Sequence, residues 1–271
     1  MRRLLIGMGY VGGRVAAAWR DRGDEVTVLT RGAEKAERLR GDGYSAIIGD
    51  VTDAGLWIEG EFDSAVYCVG YDRSSGADKR AVSVVGPENV LRATAGRTGR
   101  WVFTSTTGVY GQTDGGWVDE DSPTEGGEIA VEAEAAMRSG DAPTSVLRLA
   151  GIYGPGRLLS RPGVLEGEVP LPGRGEQWLN LIHGEDASAA CVAASVEEWP
   201  ETVLVCDNEP VRRADYYGRL ASLRGSAGPV FDGRPREGRG SSDKRCDNRR
   251  LRSLGFVHRF PTCREGLTSA E

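Results

Sequence analysis

Lysine is scarce in this chain. Only Lys35, Lys79 and Lys244 occur, so positive charge falls almost wholly to arginine. Histidine is scarcer still, with His183 and His258 alone. Four positions before the three lysines stand Arg31, Ser75 and Gly240, so no Tyr-x-x-x-Lys pair exists. No G-x-S-x-G string marks a nucleophile elbow. The five cysteines, Cys68, Cys191, Cys206, Cys246 and Cys263, include no CxxC pair, which argues against a zinc knuckle. No metal site is expected. An odd number of cysteines with no signal-peptide pattern fits a reducing, cytoplasmic setting. No stretch reaches the ~18–20 apolar residues of a membrane span.

Charge excludes further classes. Forty acidic residues face 34 basic ones, for a net charge of −6. That balance argues against a nucleic-acid or anionic-membrane surface, either of which needs a clustered basic patch. The run from Arg234 to Arg252 is locally basic but carries no interleaved aromatics, so it is not read as a nucleic-acid site. Arg157, Arg161, Arg174, Arg236 and Lys244 could meet a phosphate or carboxylate of a small-molecule substrate. Arginine is also the habitual surface cation here, which is the simpler reading.

The 271 residues, 39% of them hydrophobic, suffice for a large domain or a domain plus a smaller lobe. Short apolar runs at Arg2 to Ile6, Glu25 to Leu29, Tyr44 to Ile48, Ala65 to Val69, Trp101 to Thr104 and Ser145 to Leu149 read as strands. Between them, Val11 to Arg22, Lys35 to Arg40, Pro87 to Ala95 and Ile129 to Met137 read as helices. That alternation predicts an α/β fold, a Rossmann-type doubly wound parallel sheet with helices on both faces. After Gly151 the pattern changes, and glycine and proline punctuate Gly154 to Gly175. Leu181 to Ala194 reads as a strand end and a helix, Thr202 to Cys206 as a strand, and Asp215 to Leu223 as a helix. The expected division is a dinucleotide-binding domain over 1–156, to which 181–206 returns, and a small C-terminal substrate-side lobe over 157–271.

Gly7-Met8-Gly9-Tyr10-Val11-Gly12-Gly13 follows the first strand and opens the first helix. A bare G-x-G-x-x-G is weak evidence, but strand, turn and helix in register are the context a dinucleotide needs. Gly7 permits the tight turn, Gly9 lets a pyrophosphate approach the backbone, and Gly12 lets helix pack on strand. The helix N-terminus then offers free N–H groups to the phosphates. At the end of the second strand stands Arg31, where an acidic residue would favour NAD. Its guanidinium suits a 2′-phosphate, so NADP is the expected cofactor, with NAD second. Lys35 and Arg38 could assist. Asp50, followed by Val51, could accept from an adenine amino group or simply form a turn.

These residues resemble the short-chain dehydrogenase/reductase superfamily, in its extended or atypical branch of NAD-dependent epimerase/dehydratase-like proteins. The resemblance continues in Ser105-Thr106-Thr107-Gly108-Val109-Tyr110-Gly111 and in Arg148 to Gly156. It extends to Ile182-His183-Gly184-Glu185-Asp186 and Leu254-Gly255-Phe256. It implies a cofactor site that also takes in Tyr10, Val11, Val69, Gly70 and Thr104. It implies that Thr106 hydrogen-bonds the reacting substrate oxygen, and it leaves a homodimer open. The family's acid/base Tyr and its Lys fall here on Gly126 and Ala130, placed by matching Glu134. A phenol with a pKa near 10 needs a neighbouring cation to work near neutrality, and that pair is missing. Tyr110, Tyr153 or Tyr71 could substitute as proton donor, Tyr110 first. His183 is expected to be structural, Asp186 to cap the following helix, His258 to decorate a loop, and Asp119-Glu120-Asp121 to be solvated.

Three functions are compatible with this reading. The first is an NADP-dependent oxidoreductase or epimerase acting on a small carbonyl, hydroxyl or sugar-type substrate. The second is a non-catalytic NADP(H)-binding or redox-sensing protein. The third is a dehydratase that retains its cofactor.

Overall fold

A computed structural model describes residues 1–72, 74, 76–235 and 242–269. The strands are β1 (Arg2–Ile6), β2 (Glu25–Thr30), β3 (Ser45–Ile48), β4 (Ser64–Tyr67), β5 (Trp101–Thr106), β6 (Trp117–Val118), β7 (Thr144–Leu149), β8 (Gly151–Tyr153), β9 (Trp178–Leu179), β10 (Leu181–His183), β11 (Thr202–Val205), β12 (Val211–Arg212) and β13 (Arg245–Cys246). The helices are α1 (Tyr10–Asp21), α2 (Ala33–Gly41), α3 (Gly86–Thr94), α4 (Glu128–Arg138), α5 (Gly184–Val196), α6 (Arg213–Leu223), α7 (Arg249–Ser253) and α8 (Cys263–Ser269).

Seven strands form one sheet in the order β11-β7-β5-β4-β1-β2-β3. β1 pairs in parallel with β2 and β4, β2 with β3, and β4 with β5. Strand order reverses at β1, the switch point at which such folds open a crevice. The expected Rossmann-type parallel α/β fold is the one observed. Short pairs that sequence reading passed over, β8–β10, β9–β12 and β6–β13, lie outside this sheet. At two or three residues each, they are too short to show an alternating pattern. Among the described residues no helix is long and apolar enough to cross a membrane.

The chain forms two compact units. The first comprises Met1–Thr106, Gly127–Arg148 and Ser188–Val203. Its central strands are apolar on both faces, as buried parallel strands must be. β4 is buried throughout, and Leu4, Leu5 and Ile6 of β1 are at most 1% exposed. One core cluster joins Ile6, Tyr67, Trp101 and Phe103 to Val90 and Met137 on the helices. Trp19 is fully buried, and its indole N–H donates to Ser195 Oγ at 3.1 Å. The buried Arg3 is neutralised by Asp24 at 3.0 Å.

A second buried charge organises the other end of this unit. Glu134 on α4 is 2% exposed. Its carboxylate accepts from Arg148 Nε at 3.0 Å and Nη2 at 2.9 Å, and from Ser105 Oγ at 2.6 Å. One carboxylate thereby ties α4 to β5 and β7.

The second unit comprises Thr107–Gly126, Leu149–Ala187 and Leu204–Glu271. Its core gathers Tyr153, Leu165, Leu181, Tyr216, Leu220 and Leu267. On its surface, guanidinium groups stack on indoles. Arg245 lies 4.8 Å from the Trp117 ring centre and 5.4 Å from that of Trp178, and Arg212 lies 3.7 Å from Trp178.

Three expectations are corrected in this unit. His258 is not a loop ornament. It is 7% exposed, and its Nε2 lies 3.0 Å from the Cys206 carbonyl. Asp186 does not cap a helix: it sits within the first turn of α5 and accepts the N–H groups of Arg259 and Phe260 at 2.7 and 3.0 Å. Glu120 is not solvated; its carboxylate accepts the Leu204 N–H at 2.7 Å, and its side chain is 3% exposed. In each case a distant backbone group claims a polar side chain that local sequence leaves unassigned.

Glu134→Ala leaves the Arg148 guanidinium buried without its carboxylate. The expected loss is about 3–5 kcal/mol of stability, measured by denaturant unfolding. A loss below about 1 kcal/mol would show that the network is dispensable.

Candidate functional site

The carboxyl ends of β1 to β4 surround a cleft in the first unit. It is lined by Ile6, Gly7, Met8 and Gly9, by Leu29, Thr30, Arg31 and Lys35, by Gly49, Asp50 and Val51, and by Cys68, Val69, Gly70, Asp72 and Val82. Each group is the run-out of one parallel strand, so the fold itself brings them together.

The glycines divide the work as their surroundings dictate. Gly7 adopts φ +100°, and a Cβ there would stand 2.7 Å from the Cys68 carbonyl oxygen. Gly12 is tighter still, since a Cβ would lie 2.0 Å from the Gly7 carbonyl oxygen. Gly9 is the opposite case, because nothing lies within 4 Å of its would-be Cβ. Gly9 also caps α1 in extended geometry, with no side-chain cap bond and no acidic residue in the first turn. The N–H groups at this helix start are therefore left to whatever occupies the open side.

Two cations stand across the cleft. Arg31 follows β2, and Lys35 sits on α2 with its Nζ donating to the Met8 carbonyl at 3.1 Å. Asp72 faces them. Its carboxyl is held below the usual range by hydrogen bonds from the Ser74 hydroxyl and N–H, then by the Arg31 charge. Asp50 Oδ1 accepts from Thr52 N–H at 2.9 Å and from Thr52 Oγ1 at 2.8 Å, forming a turn, while the residue still lines the cleft. Burial pushes the Cys68 thiol up to about 12, so it is a packing group.

Of the anticipated cofactor residues, Gly7, Gly9, Arg31, Asp50, Val51, Val69 and Gly70 line this cleft. Tyr10, Val11, Gly12 and Thr104 are not among its lining residues. Tyr10 opens α1 beneath the Arg14 guanidinium, 3.9 Å from its ring centre. Val11 is 7% exposed, and Thr104 Oγ1 donates to the Tyr67 carbonyl at 3.3 Å. Sequence reading missed Ile6, Met8, Leu29, Thr30, Gly49, Cys68, Asp72 and Val82. All but Val82 lie within a few positions of a strand's carboxyl end, which is the signal that would have found them.

Thr106 is exposed at the end of β5. Tyr110 is 1% exposed, and its carbonyl accepts Lys244 Nζ at 3.0 Å. Lys244 is itself buried, which pulls its ammonium below the ordinary range. Tyr153 is fully buried, and Tyr71 donates its hydroxyl to the Ala77 carbonyl at 3.3 Å. Gly126 has no room for any side chain: a Cβ would lie 2.9 Å from the Gly108 oxygen and from the Tyr110 carbonyl. Arg157 and Arg161 are on the surface, Arg174 borders an open cleft with Arg212, and Arg236 lies outside the described residues.

A parallel sheet reversing at β1, with a glycine turn under an uncapped helix start, defines a Rossmann-type nucleotide-site protein. The chain belongs to the NAD dependent epimerase/dehydratase family, whose sequence model matches residues 4–206. It is similar to protein YeeZ of Escherichia coli strain K12, 29% identical over 272 residues and 95% of each chain. Two solved structures share the fold. The Bordetella bronchiseptica enzyme WbmG in complex with NAD and UDP aligns at 24% identity and TM-score 0.81, over 100% of this chain and 93% of that one. Human epimerase family protein SDR39U1 with NADPH aligns at 18% identity and TM-score 0.78, over 100% and 99%.

Gly12→Ala drives a methyl group into backbone, which has no soft way to yield. The expected cost is about 1–3 kcal/mol or more. Gly13→Ala, where nothing lies within 4 Å, is expected to gain about 0.5–1 kcal/mol from helix propensity. Paired denaturant melts check this, and equal effects would refute the close approach.

Proposed function

We propose that this protein is an NADP-preferring oxidoreductase or epimerase acting on a small carbonyl, hydroxyl or sugar-type substrate. The observation that carries the reading is Arg31 beside Lys35 on the wall of the β1–β4 cleft, where a 2′-phosphate would meet two cations and no carboxylate from β2. Family membership, and a shared fold in proteins solved with NAD or NADPH, support a nicotinamide dinucleotide as the occupant.

The residues fit such a group. The open side of Gly9 admits a pyrophosphate, the first N–H groups of α1 hydrogen-bond it, and Arg31 and Lys35 hold the 2′-phosphate. Asp50, Val51, Val69 and Gly70 bound the adenine and ribose, with Tyr10, Val11, Gly12 and Thr104 as supports. When bound, the cofactor supplies reversible hydride transfer; the protein supplies orientation and exclusion of water. Thr106 donates a hydrogen bond to the substrate oxygen. Tyr110, 1% exposed, serves better as packing than as a proton donor. Gly126, where the family resemblance calls for the phenol, holds backbone instead.

The closed space at Gly126 also favours a second reading, a protein that binds NADP(H) without turning it over. The two readings part on turnover. NADPH oxidation by a panel of ketones, aldehydes and sugar nucleotides supports the first, and tight binding with no oxidation supports the second.

Titration calorimetry tests the cofactor. NADPH is expected to bind more tightly than NADH. Arg31→Asp is expected to weaken NADPH roughly 10- to 100-fold, the scale of about 1.5–3 kcal/mol for a charged hydrogen bond, and to leave NADH nearly unchanged. Gly9→Ala is expected to weaken both while leaving stability intact. Failure of either nucleotide to bind the wild-type protein would overturn the proposal.

A further inference from the structure

The second unit buries a carboxyl group among neighbours that do not neutralise it. Asp207, just past β11, is 2% exposed. Its Oδ2 lies 3.2 Å from the Tyr153 hydroxyl. The same hydroxyl lies 3.3 Å from the Thr262 carbonyl oxygen, immediately before α8. Tyr153 therefore has one hydroxyl proton and two acceptors.

The charges that bear most on Asp207 are those of Asp186 and Glu265, while Arg219 and Arg264 act on the neighbouring Cys263. Asp186 on α5 is 1% exposed and accepts two backbone N–H groups, and its charge raises the Asp207 carboxyl. Glu265 on α8 is exposed and accepts the Thr262 N–H at 2.9 Å. Cys206 and Cys263 are buried thiols raised by desolvation. The His183 ring packs edge-on to Tyr153 at 5.3 Å, and its Nδ1 accepts the Glu185 N–H at 3.2 Å. The His183 backbone N–H favours the charged form of Asp207, but burial outweighs it.

We propose that Asp207 is protonated in the folded protein near neutral pH and that Asp207, Tyr153 and Thr262 form a pH-sensitive clamp on the C-terminal helix α8. The carboxyl proton goes to the Tyr153 oxygen, and the Tyr153 proton goes to the Thr262 carbonyl. Both acceptors are then satisfied, and no bare charge is left in the core. The clamp bears on α8 because the helix packs directly on the phenol. A Cβ at Gly266 would stand 2.1 Å from the Tyr153 oxygen, and Cys263 and Leu267 share its apolar cluster.

Burial, foremost, and then Asp186 raise the Asp207 carboxyl well above its unfolded value of 3.8, against the pull of the Tyr153 hydrogen bond. Burial raises Tyr153 as well, so the phenol is not the group that ionises. For a raised carboxyl, stability is fully present below the unfolded value and is lost as pH rises through the folded value. The clamp therefore loosens on the alkaline side.

Infrared spectroscopy and hydrogen exchange of the full chain test this, without reference to any nucleotide. The wild-type protein at about pH 7 is expected to show a protonated-carboxyl band that Asp207→Asn lacks. After correction for intrinsic rates, exchange within residues 263–269 is expected to rise roughly tenfold or more between about pH 5 and pH 8 in the wild type and to stay flat in Asp207→Asn. Absence of the band in the wild type, or parallel exchange profiles in the two proteins, overturns the clamp. If the variant fails to fold, the band's own pH titration in the wild type decides.

Discussion

One backbone contact sets the geometry on which the rest of the first unit depends. The carbonyl of Gly7 and the Cα of Gly12 approach so closely that no other residue fits at position 12. This contact fixes where α1 starts relative to the end of β1. It thereby aims the uncapped N–H groups of the helix at the crevice beside the switch point of the sheet. The Arg31 and Lys35 wall has meaning only because that start is fixed. Lys35 also secures the turn from the other side, through the Met8 carbonyl.

The two units handle polarity differently. The first buries charge in pairs: Arg3 with Asp24, and Arg148 with Glu134. Each pair ties elements far apart in sequence, and each carboxylate is matched by a planar guanidinium that offers several donors. The second unit relies more on backbone partners, although Glu120 also lies 3.6 Å from Arg250. His258, Asp186 and Glu120 each meet main-chain atoms, and Lys244 donates to the Tyr110 carbonyl. Among the described residues this buried lysine has no carboxylate ion pair, and desolvation weakens its hold on the proton.

The sheet was legible because buried parallel strands are continuous apolar runs and the intervening helices repeat a simple period. All six strands and four helices read before Gly151 are found within a few residues of where periodicity places them. The cleft was legible at Gly7, where a positive φ and the nearby Cys68 carbonyl leave room for glycine alone, and Gly9 and Arg31 line it as the strand ends predict. Thr104 and Val11 were harder to place, since position along a strand or helix does not say which face a side chain takes. Asp50 shows why a motif match remains ambiguous: one residue both forms a turn and lines the cleft. The second unit was barely legible, because its strands are only two or three residues long and its polar side chains find partners as far as 134 positions away.

Gly126 carries a consequence of another kind. Backbone from Gly108 and Tyr110 fills the volume that any side chain there would need. A phenol cannot be restored at that position by one substitution, since the surrounding loop would first have to be rebuilt. The stretch from 107 to 126 is therefore bound by its own packing, and position 126 accepts no side chain until the backbone at 108 and 110 moves away.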